Sequence, residues 1–164
     1  MTIIHIIRGL PGSGKSTWAK EVASRVKCNH YEAYMYFVDA DGNYKFNPRQ
    51  IVDAHQWCYD QVRRDLLDYK SVVISNTFTQ FKEIESYVGL AQEIYLLREA
   101  GMYKGIHPMF NIQDMTENYG SIHGVPAHTM EKMKARWEPM QQIHAKIKQM
   151  YPHIGSRYYG QEIH

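Results

Sequence analysis

A nine-residue stretch at residues 9–17, GLPGSGKST, constrains the fold of this chain more than any other part of the sequence. It matches the pattern GxxxxGK(S/T) through Gly9, Gly14, Lys15 and Ser16. An apolar, β-branched run precedes it, and a segment with helical spacing of apolar residues follows it. A phosphate-binding loop needs a buried strand to aim it, glycines that let backbone N–H groups approach phosphates, and the positive potential of a helix N-terminus. The stretch therefore predicts a nucleoside-triphosphate site between the first strand and the first helix.

Length, charge and cysteine content narrow the class of protein. A chain of 164 residues fits one domain with its own core, and we do not expect a second domain. A formal charge of +2 is too small to indicate a nucleic-acid binder by itself. Cys28 and Cys58 have no CxxC spacing, so neither a disulfide framework nor a zinc site is indicated. The opening apolar run is too short for a signal peptide, and no segment approaches a membrane span, so we expect a cytoplasmic protein without a membrane partner.

Strand-like and helix-like patterns alternate along the chain. Short β-branched runs predict strands at residues 2–8, 29–33, 71–75 and 109–115. Apolar stripes with a period of three to four residues predict helices at residues 15–26, 47–69, 81–100, 125–138 and 139–150. This order predicts a three-layer α/β fold in which helices cover both faces of a mostly parallel sheet of four or five strands. We place the domain at residues 1–150, with a lid at about residues 116–124 and a tail at residues 151–164.

The motif assigns chemical roles to its members. Lys15 is expected to bridge the β- and γ-phosphates of ATP, and the Ser16 hydroxyl to ligate Mg²⁺. The backbone N–H of Thr17 is expected to contact the α-phosphate. The full set of expected nucleotide-binding residues is Gly9, Pro11, Gly12, Ser13, Gly14, Lys15, Ser16 and Thr17.

Sequence patterns say less about the residues that would bind the acceptor of the phosphoryl group. A phosphoryl transferase normally has a carboxylate at the end of a neighbouring strand, where it takes the acceptor proton. Asn76 and Thr77 follow the third strand, and Asn76 serves either to hold a metal-bound water or acceptor hydroxyl, or to cap a turn. His55 either touches the acceptor or is packed on the inner face of its helix. Three carboxylates near the second strand are either candidate bases or solvated turn residues: Glu32, Asp39 and Asp41.

Several segments together resemble one family. GLPGSGKSTWAKE and SVVISNTFTQ are similar to the phosphate loop and third strand of the phage polynucleotide 5′-hydroxyl kinase family. YFVDADGNYKFNP, AHQWC and HGVP followed by MKARWE are more similar to the small AAA-type ATP-binding relatives of those kinases. The resemblance covers most of residues 1–138. It implies a P-loop kinase fold, ATP and Mg²⁺ as cofactors, and transfer of the γ-phosphate to a hydroxyl.

Three positions depart from that family. Where its members carry the aspartate that acts as general base, this chain has Tyr34. The arginine that contacts the acceptor phosphate matches Phe37, and the lid arginine matches Gly120. Tyr34 is an aromatic wall for a different acceptor, a substitution at a once-catalytic position, or a core tyrosine in a shifted register. His123, also in the expected lid, either replaces the arginine as a phosphate donor or caps the following helix.

Three functions remain open at this stage. The first is an ATP-dependent kinase acting on the 5′-hydroxyl of a DNA or RNA end or on a modified nucleic acid. The second is a kinase for a small nucleoside or nucleotide, which the low net charge and missing arginines favour. The third is an ATP-binding module with weakened or no catalysis, which Tyr34 favours. The oligomeric state is left without a prediction.

Overall fold

A parallel sheet forms the middle layer of the molecule. The structure, a computed structural model, describes residues 2–120, 124–153 and 155–158. Within these residues five strands pair in the order β2-β3-β1-β4-β5, and every pair is parallel. The strands are β1 (Thr2–Gly9), β2 (Asn29–Tyr31), β3 (Val72–Asn76), β4 (Pro108–Met115) and β5 (Gly155–Tyr158). The expected α/β class with a parallel sheet is confirmed.

Helices cover both faces of this sheet. They are α1 (Lys15–Val26), α2 (Ile51–Leu67), α3 (Phe81–Glu99), α4 (Ala127–Ala135) and α5 (Met140–Met150). The alternation of side chains along β1 separates two cores. Ile4 and Ile6 pack with residues of α2, α3 and α5, whereas Ile7 packs with residues of α1. Both faces of β1 are therefore buried, as its β-branched sequence predicts.

The register of the strands shows which residues share the edge of the sheet where the phosphate loop begins. Arg8, the penultimate residue of β1, lies opposite Asn76 of β3 on one side and Asp114 of β4 on the other. The phosphate loop leaves β1 at this carboxyl edge, and the segments that follow β2 and β3 leave the sheet there too. Ligands of open α/β sheets bind at that edge.

A buried arginine contacts the segment between α4 and α5 at the carboxyl edge of the sheet. The fully buried Arg8 side chain donates hydrogen bonds to the carbonyl oxygens of Phe78, at 3.0 Å, and Glu138, at 2.7 Å. Its guanidinium lies 4.0 Å from the ring centroid of Trp137 and 3.4 Å from the Asp114 carboxylate. The segment between α4 and α5 is therefore held against the sheet by charge-assisted contacts.

Several elements differ from the sequence-based expectation. β2 ends at Tyr31, and Ala33–Phe37 form a 3₁₀ helix because the Asn76 side chain caps its first N–H. β5 extends the sheet into residues 151–164, which we expected to be a tail. α4 has no buried residue, so of the two apolar stripes that predicted helices at residues 125–138 and 139–150, only the second lies in the core. Among the described helices, none has the length and apolar character needed to cross a membrane.

Candidate nucleotide and acceptor site

The phosphate loop has a backbone that only glycine permits at key points. Gly12 and Gly14 have positive φ values of 82° and 85°. A Cβ atom on Gly9 would lie 2.3 Å from Ser13 Oγ and 3.0 Å from the carbonyl oxygen of Met115. The loop is thus folded so tightly on the end of β1 that a side chain at position 9 has no room.

The interior of this loop fits an anion. Ser13 is almost fully buried, and its Oγ has no hydrogen-bond partner within the described part of the chain. α1 begins at Lys15 with no side-chain cap and no acidic residue in its first turn, so its first N–H groups face the loop without a competing carboxylate. An unpartnered buried hydroxyl, uncapped amides and a lysine are groups that a phosphate would satisfy.

A buried carboxylate lies beside the expected metal ligand. Ser16 Oγ donates to Glu32 Oε2 at 2.6 Å, and Ser75 Oγ donates to the same oxygen at 3.1 Å. His30 Nε2 lies 2.6 Å from Ser75 Oγ and 3.9 Å from the Glu32 carboxylate. Glu32 is only 7% exposed. The carboxylate therefore belongs to the site, whereas the sequence left it as either a candidate base or a solvated turn residue.

Burial and the Glu32 charge set the electrostatics of this cluster. Burial lowers the pKa of the Lys15 ammonium below its usual value, and the negative charge of Glu32 acts in the opposite direction. Burial likewise lowers the pKa of His30, partly offset by Glu32 and reinforced by Lys20. His30 is therefore uncharged near neutral pH. In this cluster, the Glu32 carboxylate is the group that favours a positive charge on Lys15 and His30.

The donor atoms suit Mg²⁺. A serine hydroxyl and a carboxylate are hard oxygen ligands of the kind that Mg²⁺ prefers. No group of three or more histidine, cysteine or acidic side chains suited to a metal occurs in the ranges that the structure describes. An ion at Ser16 would therefore take most of its ligands from phosphate oxygens and water. That arrangement is typical of nucleotide-bound Mg²⁺.

At the end of β3, Asn76 acts as a cap. Its Oδ1 accepts the backbone N–H of Ala33 at 2.9 Å, which ties β3 to the 3₁₀ helix that follows β2. Of the two roles open from the sequence, the structure shows the turn cap. Thr77 follows it in a half-buried position. Asn76 thus positions the segment that carries Tyr34.

Tyr34 lies in the 3₁₀ helix, two residues after Glu32. Its ring stacks on Tyr44, with 4.8 Å between ring centroids and 29° between ring planes. The side chain is half-buried. The position where the resembling family carries a base is therefore occupied by a ring packed on another ring.

The other expected acceptor and lid residues are placed as follows. The Asp39 carboxylate accepts the backbone N–H groups of Asp41 and Asn43, each at 2.9 Å, and pairs with Lys45 at 3.0 Å. The N–H of Asn43 and the Lys45 ammonium hold the pKa of Asp39 below its usual value, so this residue stabilises a turn. His55 is exposed on α2, which speaks against packing on the inner face of that helix, and its contact with the acceptor stays a prediction. His123 lies outside the described residues.

The described part of the expected lid contacts the phosphate loop. The backbone N–H of Tyr119 donates to the carbonyl oxygen of Gly12 at 2.6 Å. Its ring lies 3.1 Å from the place where Gly14 would carry a Cβ. Nothing in the sequence pattern singled out Tyr119, because a tyrosine in a polar loop has no motif. These contacts place Tyr119 against the phosphate loop.

This geometry defines the class of the protein. A glycine loop and a helix N-terminus at the carboxyl edge of an all-parallel sheet, with Lys15 and Ser16 in the first helical turn, make a P-loop kinase-like, nucleotide-binding fold. The chain belongs to the AAA domain family AAA_33, whose model matches residues 4–103. This match does not show membership of the phage kinase family that the sequence resembles, which stays a prediction.

Two curated relatives align with most of this chain. Uncharacterized protein PM0531 of Pasteurella multocida (strain Pm70) is 31% identical in an alignment of 150 residues that covers 81% of this chain and 75% of that protein. NEDD4-binding protein 2 of Homo sapiens is 25% identical over 140 residues, which are 83% of this chain. The chain spans only 8% of the length of the human protein.

Solved structures share the fold at low sequence identity. The AvrRxo1-ORF1:ORF2 complex with ATP has a TM-score of 0.61 at 16% identity, covering 99% of this chain and 55% of that chain. Chaetomium thermophilum Kti12 in complex with ADP-AlF3 has a TM-score of 0.51 at 12% identity, covering 93% of this chain and 99% of that chain. The Pnkp1/Rnl/Hen1 complex has a TM-score of 0.50 at 17% identity, covering 80% of this chain and 38% of that chain. These likenesses establish the fold.

Proposed function

We propose that this protein is an ATP-dependent phosphotransferase that passes the γ-phosphoryl group of ATP to a hydroxyl at the end of a polynucleotide. The observation that carries the proposal is the 2.6 Å hydrogen bond from Ser16 Oγ to the buried Glu32 carboxylate, beside Lys15. An isolated phosphate loop binds a nucleotide. A loop joined to a buried acid at the neighbouring strand has the charge distribution that a metal-nucleotide requires.

The loop residues supply binding and orientation. The amides at the start of α1 and the Lys15 ammonium would hold the β- and γ-phosphates, and the Ser13 hydroxyl offers one more polar contact inside the loop. The hydrogen bond from the Tyr119 backbone N–H to Gly12 keeps Tyr119 against this loop. Cover of that kind would exclude water from the transferring group.

Glu32 would act through the metal ligand. Because the Ser16 hydroxyl donates its hydrogen bond to Glu32, the lone pairs of the same oxygen stay available to Mg²⁺. Mg²⁺ bound at Ser16 would neutralise charge that develops on the phosphate oxygens. Ser75 and His30 hold the Glu32 carboxylate in turn, so the acid is fixed before the nucleotide arrives.

The acceptor side would work without the usual base. A tyrosine hydroxyl is a much weaker proton acceptor than a carboxylate, so Tyr34 does not replace an aspartate as general base. Phosphoryl transfer through a loose transition state depends mainly on positioning and charge, and the acceptor proton leaves late. We therefore propose slow transfer. The polynucleotide acceptor is supported by the resemblance of residues 1–138 to polynucleotide kinases.

A second candidate is an ATP-binding module without transfer. Two observations favour it: Tyr34 is packed on Tyr44, and the lid position expected to carry an arginine is Gly120. In this alternative the site would still bind Mg²⁺ and ATP, and the bound nucleotide would control the surface around it.

Transfer of labelled γ-phosphate separates these functions. The protein, Mg²⁺ and labelled ATP are incubated with 5′-hydroxyl DNA, 5′-hydroxyl RNA or free nucleosides, and the products are resolved by electrophoresis or chromatography. The Lys15→Met variant serves as a control for contaminating kinases. Label on an oligonucleotide supports the proposal, and label on a nucleoside alone assigns a small-molecule kinase. ATP binding with no labelled acceptor assigns the binding module.

A further inference from the structure

Three aromatic rings form a stack next to the phosphate site. Tyr34 and Tyr44 stack at 4.8 Å, and Tyr44 continues to Phe46 with 6.3 Å between centroids and 22° between planes. We name this set, Tyr34, Tyr44 and Phe46, the aromatic platform. The planes of neighbouring rings differ by 29° or less, so the three rings share one approximate orientation.

The platform is accessible. Tyr44 is 40% exposed and Phe46 is 50% exposed. Two aliphatic neighbours in sequence, Ile51 and Val52, are 42% and 79% exposed. Single exposed apolar residues are ordinary, but several in a stretch of nine residues beside a functional edge mark a binding surface.

Buried contacts hold the rings in place. Phe37 is buried beneath the platform and meets Tyr44 and Phe46 edge-on, at 6.3 Å and 5.2 Å between centroids. The backbone N–H of Lys45 donates to the Phe37 carbonyl oxygen at 2.8 Å, and Asp39 closes the turn between the two segments. The platform is therefore preorganised, and a ligand would not have to order it.

The platform is connected directly to the nucleotide site. Tyr34 follows Glu32 by two residues, which limits the separation of their Cα atoms to about 7 Å. Glu32 contacts Ser16, and Asn76 fixes the first residue of the 3₁₀ helix that carries Tyr34. A group lying on the platform is thus held on the acceptor side of the phosphate loop.

We infer that the aromatic platform binds a nucleobase of the acceptor, and in particular the base of the terminal nucleotide. This inference rests on the proposed phosphotransferase function and deepens it by naming the part of the acceptor that is recognised. Every base has a π face that stacks on aromatic side chains, and each such stack is worth a measurable share of single-strand affinity. The long cationic side chains of Lys45 and Arg49 lie in the same segment, where they can approach backbone phosphates.

A nucleobase fits this surface better than a protein partner does. Specific protein interfaces use roughly 20–30 residues on each side, whereas the platform and its aliphatic neighbours comprise five side chains. Stacked, nearly parallel rings match a flat ligand. A base on the platform would also keep its own sugar on the acceptor side of the phosphate loop.

The test pairs removal of a ring with removal of a base. A single-stranded oligonucleotide with a 5′-hydroxyl and a 3′-terminal fluorophore is prepared with either a normal or an abasic 5′-terminal nucleotide. Binding to the parent protein, Tyr44→Ala, Tyr44→Phe and the exposed-site control Leu96→Ala is measured by fluorescence anisotropy without ATP. We expect the abasic end to weaken binding to the parent about five- to 150-fold. Tyr44→Phe and Leu96→Ala should keep that ratio, and Tyr44→Ala should reduce it toward one.

The outcomes separate this inference from the proposed function. If the parent binds normal and abasic ends equally, the platform does not bind a nucleobase, even if labelled phosphate is transferred. The exposed rings would then be assigned to a protein partner. An unchanged ratio in Tyr44→Ala would overturn it as well. A base-dependent ratio that disappears in Tyr44→Ala supports the platform, and supports it still if no transfer occurs and the kinase proposal fails.

Discussion

The phosphate loop and the aromatic platform lie at the same edge of the sheet, but different contacts hold them. At the phosphate loop, positive-φ glycines, a buried hydroxyl and a buried carboxylate leave little free space. At the platform, half-exposed rings stack on one another above a single buried phenylalanine. The first region is set by sterics and charge, and the second by surface stacking.

This difference in packing indicates which part of the site can accept a residue of different chemistry. In the phosphate loop, a side chain at Gly9 would meet Ser13 Oγ and a backbone oxygen, and the positive φ values of Gly12 and Gly14 favour glycine. Tyr34 stands where the resembling family has an aspartate, yet the sheet, the loop and the Glu32 contacts are all present. Compared with the family that the sequence resembles, this chain therefore differs on the acceptor side and has the same elements on the nucleotide side. The predictions below test this contrast in order of expected effect.

The largest effect is expected from Gly9→Ala. The added methyl would lie 2.3 Å from Ser13 Oγ and 3.0 Å from a backbone oxygen that cannot move freely, so the loop must open. We expect ATP affinity to fall about a hundredfold or more, because a misplaced loop loses several charge-assisted bonds together. Isothermal titration calorimetry measures the affinity.

Gly89→Ala is the matched control. Gly89 lies inside α3, with nothing within 4 Å of the added methyl, so the variant should bind ATP like the parent. It should also be more stable by about 1 kcal/mol, as expected for alanine in a helix. Unchanged ATP binding by Gly9→Ala would show that the loop is not tightly constrained.

Glu32→Gln should weaken the metal site. The amide keeps the shape of the carboxylate but removes its charge beside Ser16 and Lys15. We expect Mg²⁺-dependent ATP affinity to fall about ten- to a hundredfold, as when an outer partner of a metal ligand is lost. Titration of ATP with Mg²⁺ and with EDTA measures it, and the exposed Glu85→Gln is the control. A loss of equal size in EDTA would contradict a role at the metal.

Tyr34→Asp tests the acceptor side. It restores the carboxylate that the resembling family carries, so we expect the rate of phosphoryl transfer at saturating acceptor to rise several-fold or more. The Michaelis constant for the acceptor should rise too, because one ring of the platform is lost. Tyr36→Asp, two residues further along the same 3₁₀ helix, is the control. If Tyr34→Asp and the parent transfer phosphate at the same rate, Tyr34 does not occupy the position of the base.

The smallest effect concerns pH and the buried His30. Since burial lowers the pKa of His30 in the folded protein, its contribution to stability is complete above the ordinary value near 6.5 and is lost as pH falls through the folded value. The free energy of unfolding in urea should therefore decrease from pH 7.5 to pH 5.5. In His30→Gln the decrease should be smaller. An identical decrease in both proteins would show that His30 does not titrate in this range.

Local patterns were sufficient for most of the fold. The β-branched run of β1 and the glycine loop predicted the first strand, the loop and α1, because each of these is specified by a short segment. Asn47 and Pro48 marked the start of the helical segment, and Asn47 Oδ1 does accept the N–H of Arg49 at 3.0 Å. β5 was not predicted, because its pairing with β4 is a long-range contact that a four-residue segment does not encode.

The site was predictable only where a motif defines it. Lys15 and Ser16 followed from the loop pattern, but Glu32 did not, because a single glutamate after a strand resembles any solvated turn residue. Its role depends on β2 pairing with β3 and on α1 placing Ser16 within hydrogen-bond distance. The stack of Tyr34 on Tyr44 likewise depends on a hairpin turn closed by Asp39.

The most direct test of the nucleotide site is the affinity of Lys15→Met for ATP and Mg²⁺, measured by isothermal titration calorimetry beside the parent protein. The account predicts that the parent binds the metal-nucleotide and that the variant binds it about tenfold more weakly or worse, since a charge-assisted contact to phosphate is lost. Equal affinity of the two proteins would contradict a triphosphate held at the junction of β1 and α1.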